Sequence, residues 1–202
     1  FVPDEGTKQE LLKAGASEQE LCIKGHLMED DARNHRFSNL LHHDLAFYRT
    51  KKVMLICTSG HKERRDLLAY LPQFVSKGYY VLWKDHPSTS EEIAQSDTVE
   101  VMPNDFNKNR LYDALTVASV LIVSGSTVAL EAQWFHVPTI SYEIGDSLLY
   151  LVREGKIVHV KSIQELDASL LAIKRYAKYE SSTKNVAELY KEEILRNEQL
   201  NG

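Results

Sequence analysis

Cysteine is scarce, with two in 202 residues, Cys22 and Cys57, each in an apolar setting. Two such thiols make neither a disulfide framework nor a cysteine-ligated metal site, and a reducing, cytoplasmic setting is expected. No apolar run approaches the roughly 18 residues of a transmembrane helix. Positive charge is in deficit, 24 Lys and Arg against 29 Asp and Glu for a net −5, which argues against nucleic acid or an anionic membrane as an electrostatic partner. The GxGxxG dinucleotide fingerprint is missing, which argues against nicotinamide or flavin chemistry. No Asp-rich metal motif, internal repeat or low-complexity stretch occurs. There is no initiating Met, since the sequence opens on Phe1. A removed segment or a piece of a longer protein is expected.

What is present is a folded-domain composition, 43% apolar and 26% charged. Residues 1–27 stand apart from a polar stretch, 28–52, read as a linker with a short helix near 38–48. From 53 the pattern is regular. A short, continuous apolar run at 53–58 suits a strand buried on both faces, 79–84 is a second β-rich run, and further strands are expected at 99–102, 120–124, 138–142 and 157–160. Helical stripes at 63–76, 91–95, 108–118, 127–135, 147–153 and 163–176 alternate with them, and a last stripe covers 185–197. The rhythm predicts an α/β fold, a Rossmann-like doubly wound parallel sheet over 53–180, closed by a C-terminal helix over 181–202. Ligands of such sheets bind at the carboxyl ends of the strands, so the loops there carry the candidate chemistry.

After the first strand comes Thr58-Ser59-Gly60-His61, a tight turn or, through Gly60 and its exposed backbone N–H groups, an anion contact. After the second comes Lys84-Asp85-His86-Pro87. The proline restrains His86 to extended geometry, where it can donate to a phosphate or a leaving-group oxygen. The fourth strand ends in Ser124-Gly125-Ser126-Thr127, two hydroxyls and a glycine among them at a helix start. Gly125, Ser126 and Thr127 can cap that helix and also cradle a phosphate. Glu131 shares a helix face with Thr127 and can accept hydrogen bonds from a ribose diol or complement the helix dipole. Glu143, in the loop after the fifth strand, can touch the sugar; the neighbouring Asp146 can instead cap the next helix. Cys57 reads as core packing, and His42-His43 as linker surface.

The run Leu121-Ile122-Val123-Ser124-Gly125-Ser126-Thr127-Val128-Ala129-Leu130-Glu131-Ala132, then Val137-Pro138-Thr139-Ile140, resembles the donor-binding motif of GT-B fold proteins, especially the UDP-N-acetylglucosamine 2-epimerases and the capsule or lipopolysaccharide glycosyltransferases. The resemblance implies phosphate contact at Gly125, Ser126 and Thr127 and ribose contact at Glu131. Lys84-Asp85-His86-Pro87 resembles the His-Pro motif of bacterial sialyltransferases and polyol-phosphate transferases, which implies a nucleotide-phosphate contact at His86. Residues 1–27 resemble the end of a GT-B amino-terminal domain. The epimerases' paired glutamates are not matched, since Ala132 follows Glu131.

The resemblance implies the carboxyl-terminal, donor-binding half of a glycosyltransferase of bacterial surface polysaccharide synthesis. It is expected to be inactive in isolation, with His86 as the catalytic group and Gly60, Lys84, Gly125, Ser126, Thr127, Glu131 and Glu143 as donor contacts. The alternatives are a nucleotide-sugar 2-epimerase or hydrolase on the same fold, and a non-catalytic nucleotide-binding module. The expected partners are a UDP-, CMP- or CDP-linked sugar and a glycan or lipid-linked acceptor. No nucleic acid, metal or cofactor is expected. The expected compartment is the cytoplasm, extending to peripheral contact with the inner membrane face.

Overall fold

The continuous apolar runs become strands covered on both sides. A computed structural model of the chain describes residues 5–172 apart from 24, 26–27, 60, 88–92 and 143–147. The chain divides into two units, Phe1–Asn34 with Glu180–Gly202, and His35–Tyr179.

In the first unit, α1 (Glu5–Lys13) ends at Gly15, whose φ of +97° lets the chain turn back so that Ala16 N–H reaches the Leu11 carbonyl at 2.9 Å. A 3-10 turn comes next, over Glu18–Glu20. Helix α2 (Met28–Asn34) falls in the stretch that reads from sequence as linker. Its acidic start is offset within the helix itself: Arg33 donates to Glu29 Oε1 through Nε at 3.1 Å and Nη2 at 2.7 Å, one turn apart.

The second unit is built on six parallel strands: β1 (Lys52–Thr58), β2 (Tyr79–Asp85), β3 (Val99–Val101), β4 (Val120–Val123), β5 (Thr139–Tyr142) and β6 (Val158–Val160). Their order is β3-β2-β1-β4-β5-β6, the doubly wound order expected from the alternation. Ahead of β1 stands the short α3 (Leu45–Arg49), whose N-cap Asp44 accepts from the Phe47 N–H at 2.8 Å. Between the strands run α4 (His61–Ser76), α5 (Lys108–Val117), α6 (Val128–Trp134) and α7 (Leu149–Arg153), with α8 (Ile163–Ala172) after β6. The short helix expected at 91–95 is not formed over its described part, 93–95, and that at 185–197 lies outside the described residues.

Side-chain alternation sorts the core. Met54, Ile56, Val81, Trp83, Ile122 and Ile140 face Leu67 and Phe74 of α4 and Leu166 of α8. The opposite face carries α3, α5 and α6.

The stretch from 35 to 43 has no regular structure, so its backbone groups need other partners. Two buried carboxylates supply them. Asp113 of α5 accepts from Ser38 N–H at 2.7 Å and Leu40 N–H at 2.9 Å, and pairs with His35 Nε2 at 2.8 Å. Glu100 of β3 accepts from His42 N–H at 2.8 Å, from Tyr80 OH at 3.2 Å and from Tyr48 OH. Burial, then the bond to Glu100, pushes the Tyr48 phenol far up, so it stays a donor. No helix among the described residues is long and apolar enough to cross a membrane.

Candidate nucleotide site

The strand order reverses between β1 and β4, and the loops leaving those two strands meet there. Ser124 N–H donates to the Cys57 carbonyl at 3.1 Å, and the Ser59 hydroxyl donates to the Ser124 carbonyl. Gly125 then takes a φ of +62°, which an L side chain rarely adopts, and a Cβ there would stand 3.4 Å from Ser59 Oγ. The sequence places one glycine where the backbone needs it.

Of the two hydroxyls, Ser126 does the capping: its Oγ accepts from Val128 N–H at 3.3 Å, and its carbonyl from Ala129 N–H at 3.2 Å. Thr127, at the N-cap position of α6, makes no side-chain cap bond and is exposed. The N–H groups of Gly125, Ser126 and Thr127 make no hydrogen bond among the described residues.

Glu131 lies one turn into α6. Its Oε2 is buried and has no hydrogen-bond partner among the described residues. Burial pushes its carboxyl up from 4.5 to about 7, against the pull of Lys108 at the start of α5. Native structures rarely leave a buried carboxylate oxygen unpaired, because its desolvation is not offset. The Cys57 thiol, pushed up to about 12 by burial, feels Lys84, Glu131 and Asp85, so these three charges surround one strand end. At that value the thiol is no nucleophile, in keeping with its apolar setting.

Lys84 is half-buried and donates through Nζ to the Asp105 carbonyl at 2.8 Å, leaving two further protons on the ammonium. His86 is exposed just past the end of β2. Gly60 and Glu143 lie outside the described residues. The structure therefore gathers Gly125, Ser126, Thr127 and Glu131 at the β4–α6 turn and places Lys84 and His86 at the end of the strand on the far side of β1.

Between Lys84 and His86 stands a residue that sequence alone presents as no more than a flanking charge. Asp85 is buried and accepts from Thr58 Oγ1 at 2.6 Å, Trp83 Nε1 at 2.8 Å and Arg64 Nε at 3.0 Å. A lone acid closing an apolar strand is the available signal; its donors sit elsewhere in the chain. His42 is exposed, as linker surface should be, but His43 stacks on Phe47 with centroids 3.8 Å apart. Among the described residues no three His, Cys, Asp or Glu side chains are grouped as metal ligands.

No protein-family model matches the sequence, and no curated protein does. Solved structures share the fold. A Methanocaldococcus jannaschii UDP-GlcNAc 2-epimerase in complex with UDP-GlcNAc and UDP superposes with a TM-score of 0.73 at 15% identity, covering 98% of this chain and 60% of that one. S. aureus MnaA, solved with UDP, gives 0.67 at 14% identity, covering 87% and 51%. The glycotransferase of kitacinnamycin gives 0.56 at 14% identity, covering 88% and 45%. The chain thus spans 60% or less of the length of each of these three. The chain shares with these structures a Rossmann-like α/β fold, the fold that the 121–140 run implied.

Proposed function

We propose that this chain is the nucleotide-binding half of an enzyme acting on a nucleotide sugar, and that the reaction is glycosyl transfer. The observation that carries the reading is the buried, unpaired Oε2 of Glu131 beside a turn whose N–H groups are unused. A ribose diol offers the two O–H donors that such a carboxylate lacks. A diphosphate beside it would accept from the N–H groups of Gly125–Thr127 and from the Thr127 hydroxyl. Breaking the sugar–phosphate C–O bond leaves negative charge on the phosphate. Fixed N–H dipoles, the Lys84 ammonium and the His86 imidazole would stabilise that charge more than the ground state, which lowers the barrier. The reading carries with it a lipid-linked or glycan acceptor, a role in surface polysaccharide synthesis, and work at the cytoplasmic face of the membrane.

A second reading is a 2-epimerase or hydrolase of the nucleotide sugar, favoured by the higher TM-score of the epimerase from M. jannaschii. Both readings need the same nucleotide site.

Calorimetric titration with UDP, CDP, CMP, GDP and ADP tests the site. One nucleotide should bind selectively, and Glu131→Gln or Thr127→Ala should weaken it about 5- to 100-fold, the scale of one to two charge-assisted hydrogen bonds. Equal binding by the folded variants would remove both residues from the site. Product analysis then separates the reactions: a glycosylated acceptor for transfer, an epimerised or free sugar from donor alone for the rival.

A further inference from the structure

The cluster around Asp85 has a role that the nucleotide site does not exhaust. Asp85 and Arg64 are both buried, an ion pair 3.0 Å apart with side chains 8% and 3% exposed. Stability alone does not explain such a pair, because apolar residues of similar volume commonly serve as well or better. Its location is more informative. Asp85 is the last residue of β2, Thr58 is the last residue of β1 and pairs with it across the sheet, and Arg64 lies in the first turn of α4. The indole N–H of the fully buried Trp83 adds a third donor. One carboxylate therefore ties together two strand ends and the helix that begins where the first loop stops.

Directly after Asp85 the chain continues with His86 and Pro87. The proline excludes helical backbone at His86 from one side, and the anchored Asp85 side chain fixes the peptide on the other. Lys84, pointing to the opposite face of the sheet from Asp85, has its stem fixed by the same strand end and its ammonium held at the Asp105 carbonyl. An exposed histidine on an ordinary loop would sample many directions. This one follows an anchored residue and precedes a proline, so its backbone has fewer directions open to it.

We infer that Asp85, braced by Arg64, Thr58 and Trp83, is a positioning residue: it sets the direction in which His86 and Lys84 are presented at the nucleotide site. The inference rests on the nucleotide reading for its consequence, though the brace itself does not. Asp85 is buried and its carboxylate is occupied by these three donors, so it acts through its neighbours. It contributes orientation, and misplacement by about 1 Å can cost on the order of a hundredfold where geometry is critical.

The test uses the full chain in four forms: wild type, Asp85→Asn, the double variant Arg64→Met with Asp85→Leu, and His86→Gln for signal assignment. The Asn variant leaves Arg64 without its counter-charge; the double variant removes the charges together and refills the volume. Three quantities are read: melting temperature, dissociation constants for UDP, CDP and CMP, and the His86 ring carbon-bound proton signals by NMR, assigned with His86→Gln. The double variant still strands the Thr58 hydroxyl and the Trp83 indole N–H, so it is expected to melt several degrees below wild type while remaining folded, to bind its nucleotide about tenfold or more weakly, and to show displaced, broadened His86 signals. A folded double variant that binds like wild type, with unmoved His86 signals, overturns the inference and makes the pair purely structural. If wild type binds none of the three nucleotides while binding GDP or ADP, that ligand takes their place. If it binds no nucleotide, the functional reading falls, while unmoved or displaced His86 signals still decide for or against the brace. Should Asp85→Asn fail to fold, the double variant alone carries the decision.

Discussion

In the second unit, the carboxylates Asp113, Glu100 and Asp85 on one hand and Glu131 on the other show opposite arrangements of oxygens shielded from water. Asp113, Glu100 and Asp85 each collect three donors, drawn from backbone N–H groups, phenols, an indole, a hydroxyl, an imidazole or a guanidinium. Glu131 keeps an oxygen with no donor among the described residues. The first group makes structure, since each carboxylate fixes segments far apart in the chain. The orphan destabilises its own surroundings, and a cost of that kind is retained where something outside the fold supplies the missing partner.

The contrast is sharpest at its satisfied end. Asp113→Ala should destabilise the chain by about 2–4 kcal/mol, because it strands two backbone N–H groups and the buried His35 ring at once. Urea denaturation measures it, and a loss under about 1 kcal/mol would mean that the 35–40 stretch finds other acceptors. Glu100→Gln should cost less, about 1–3 kcal/mol by the same method, since the amide oxygen can still accept from one of three donors.

Glu131→Gln should act in the opposite direction. A carboxyl raised from 4.5 to about 7 holds its proton more tightly in the folded chain than in the unfolded one. Between those values the folded chain binds more protons, so stability falls as pH rises, and above about 7 the whole cost is present. The neutral amide escapes it. The variant should therefore be more stable than wild type by about 1–3 kcal/mol at pH 8 and equal to it near pH 4, while binding nucleotide less well. Thermal melts across that range check the sign; a variant less stable at pH 8 would show that Glu131 has a partner in the fold. The smallest effect belongs to Thr127→Ala, within about 0.5 kcal/mol of wild type by the same melts, because its hydroxyl caps nothing.

The sheet was legible because its central strands β1, β2 and β4 are nearly unbroken apolar runs, and strand ends such as 53–58 and 120–124 fall within a residue or two of β1 and β4. Helix α2 was not, because its run of Glu29, Asp30 and Asp31 has no apolar stripe and its support is an internal ion pair. The β4–α6 turn was readable since glycine and hydroxyls come directly after an apolar strand. The anchoring acids were not readable as anchors. A sequence displays a charge but not its partner, and the donors to Asp113 lie 73 to 78 residues away, those to Asp85 as far as 27. Whether Ser126 or Thr127 caps α6 was equally invisible, since the choice turns on one backbone angle.

Asp113 also sets where this domain can be cut. A chain shortened to begin at Lys52 keeps every strand, yet leaves that carboxylate in the interior with His35, Ser38 and Leu40 all deleted. One begun at His35, the first residue of the second unit, keeps all three donors. The edge of the sheet and the edge of the folded unit are therefore different places. A graft of this sheet into another chain would have to carry the irregular stretch along with the strands, and a cut in the peptide between Asn34 and His35 does so.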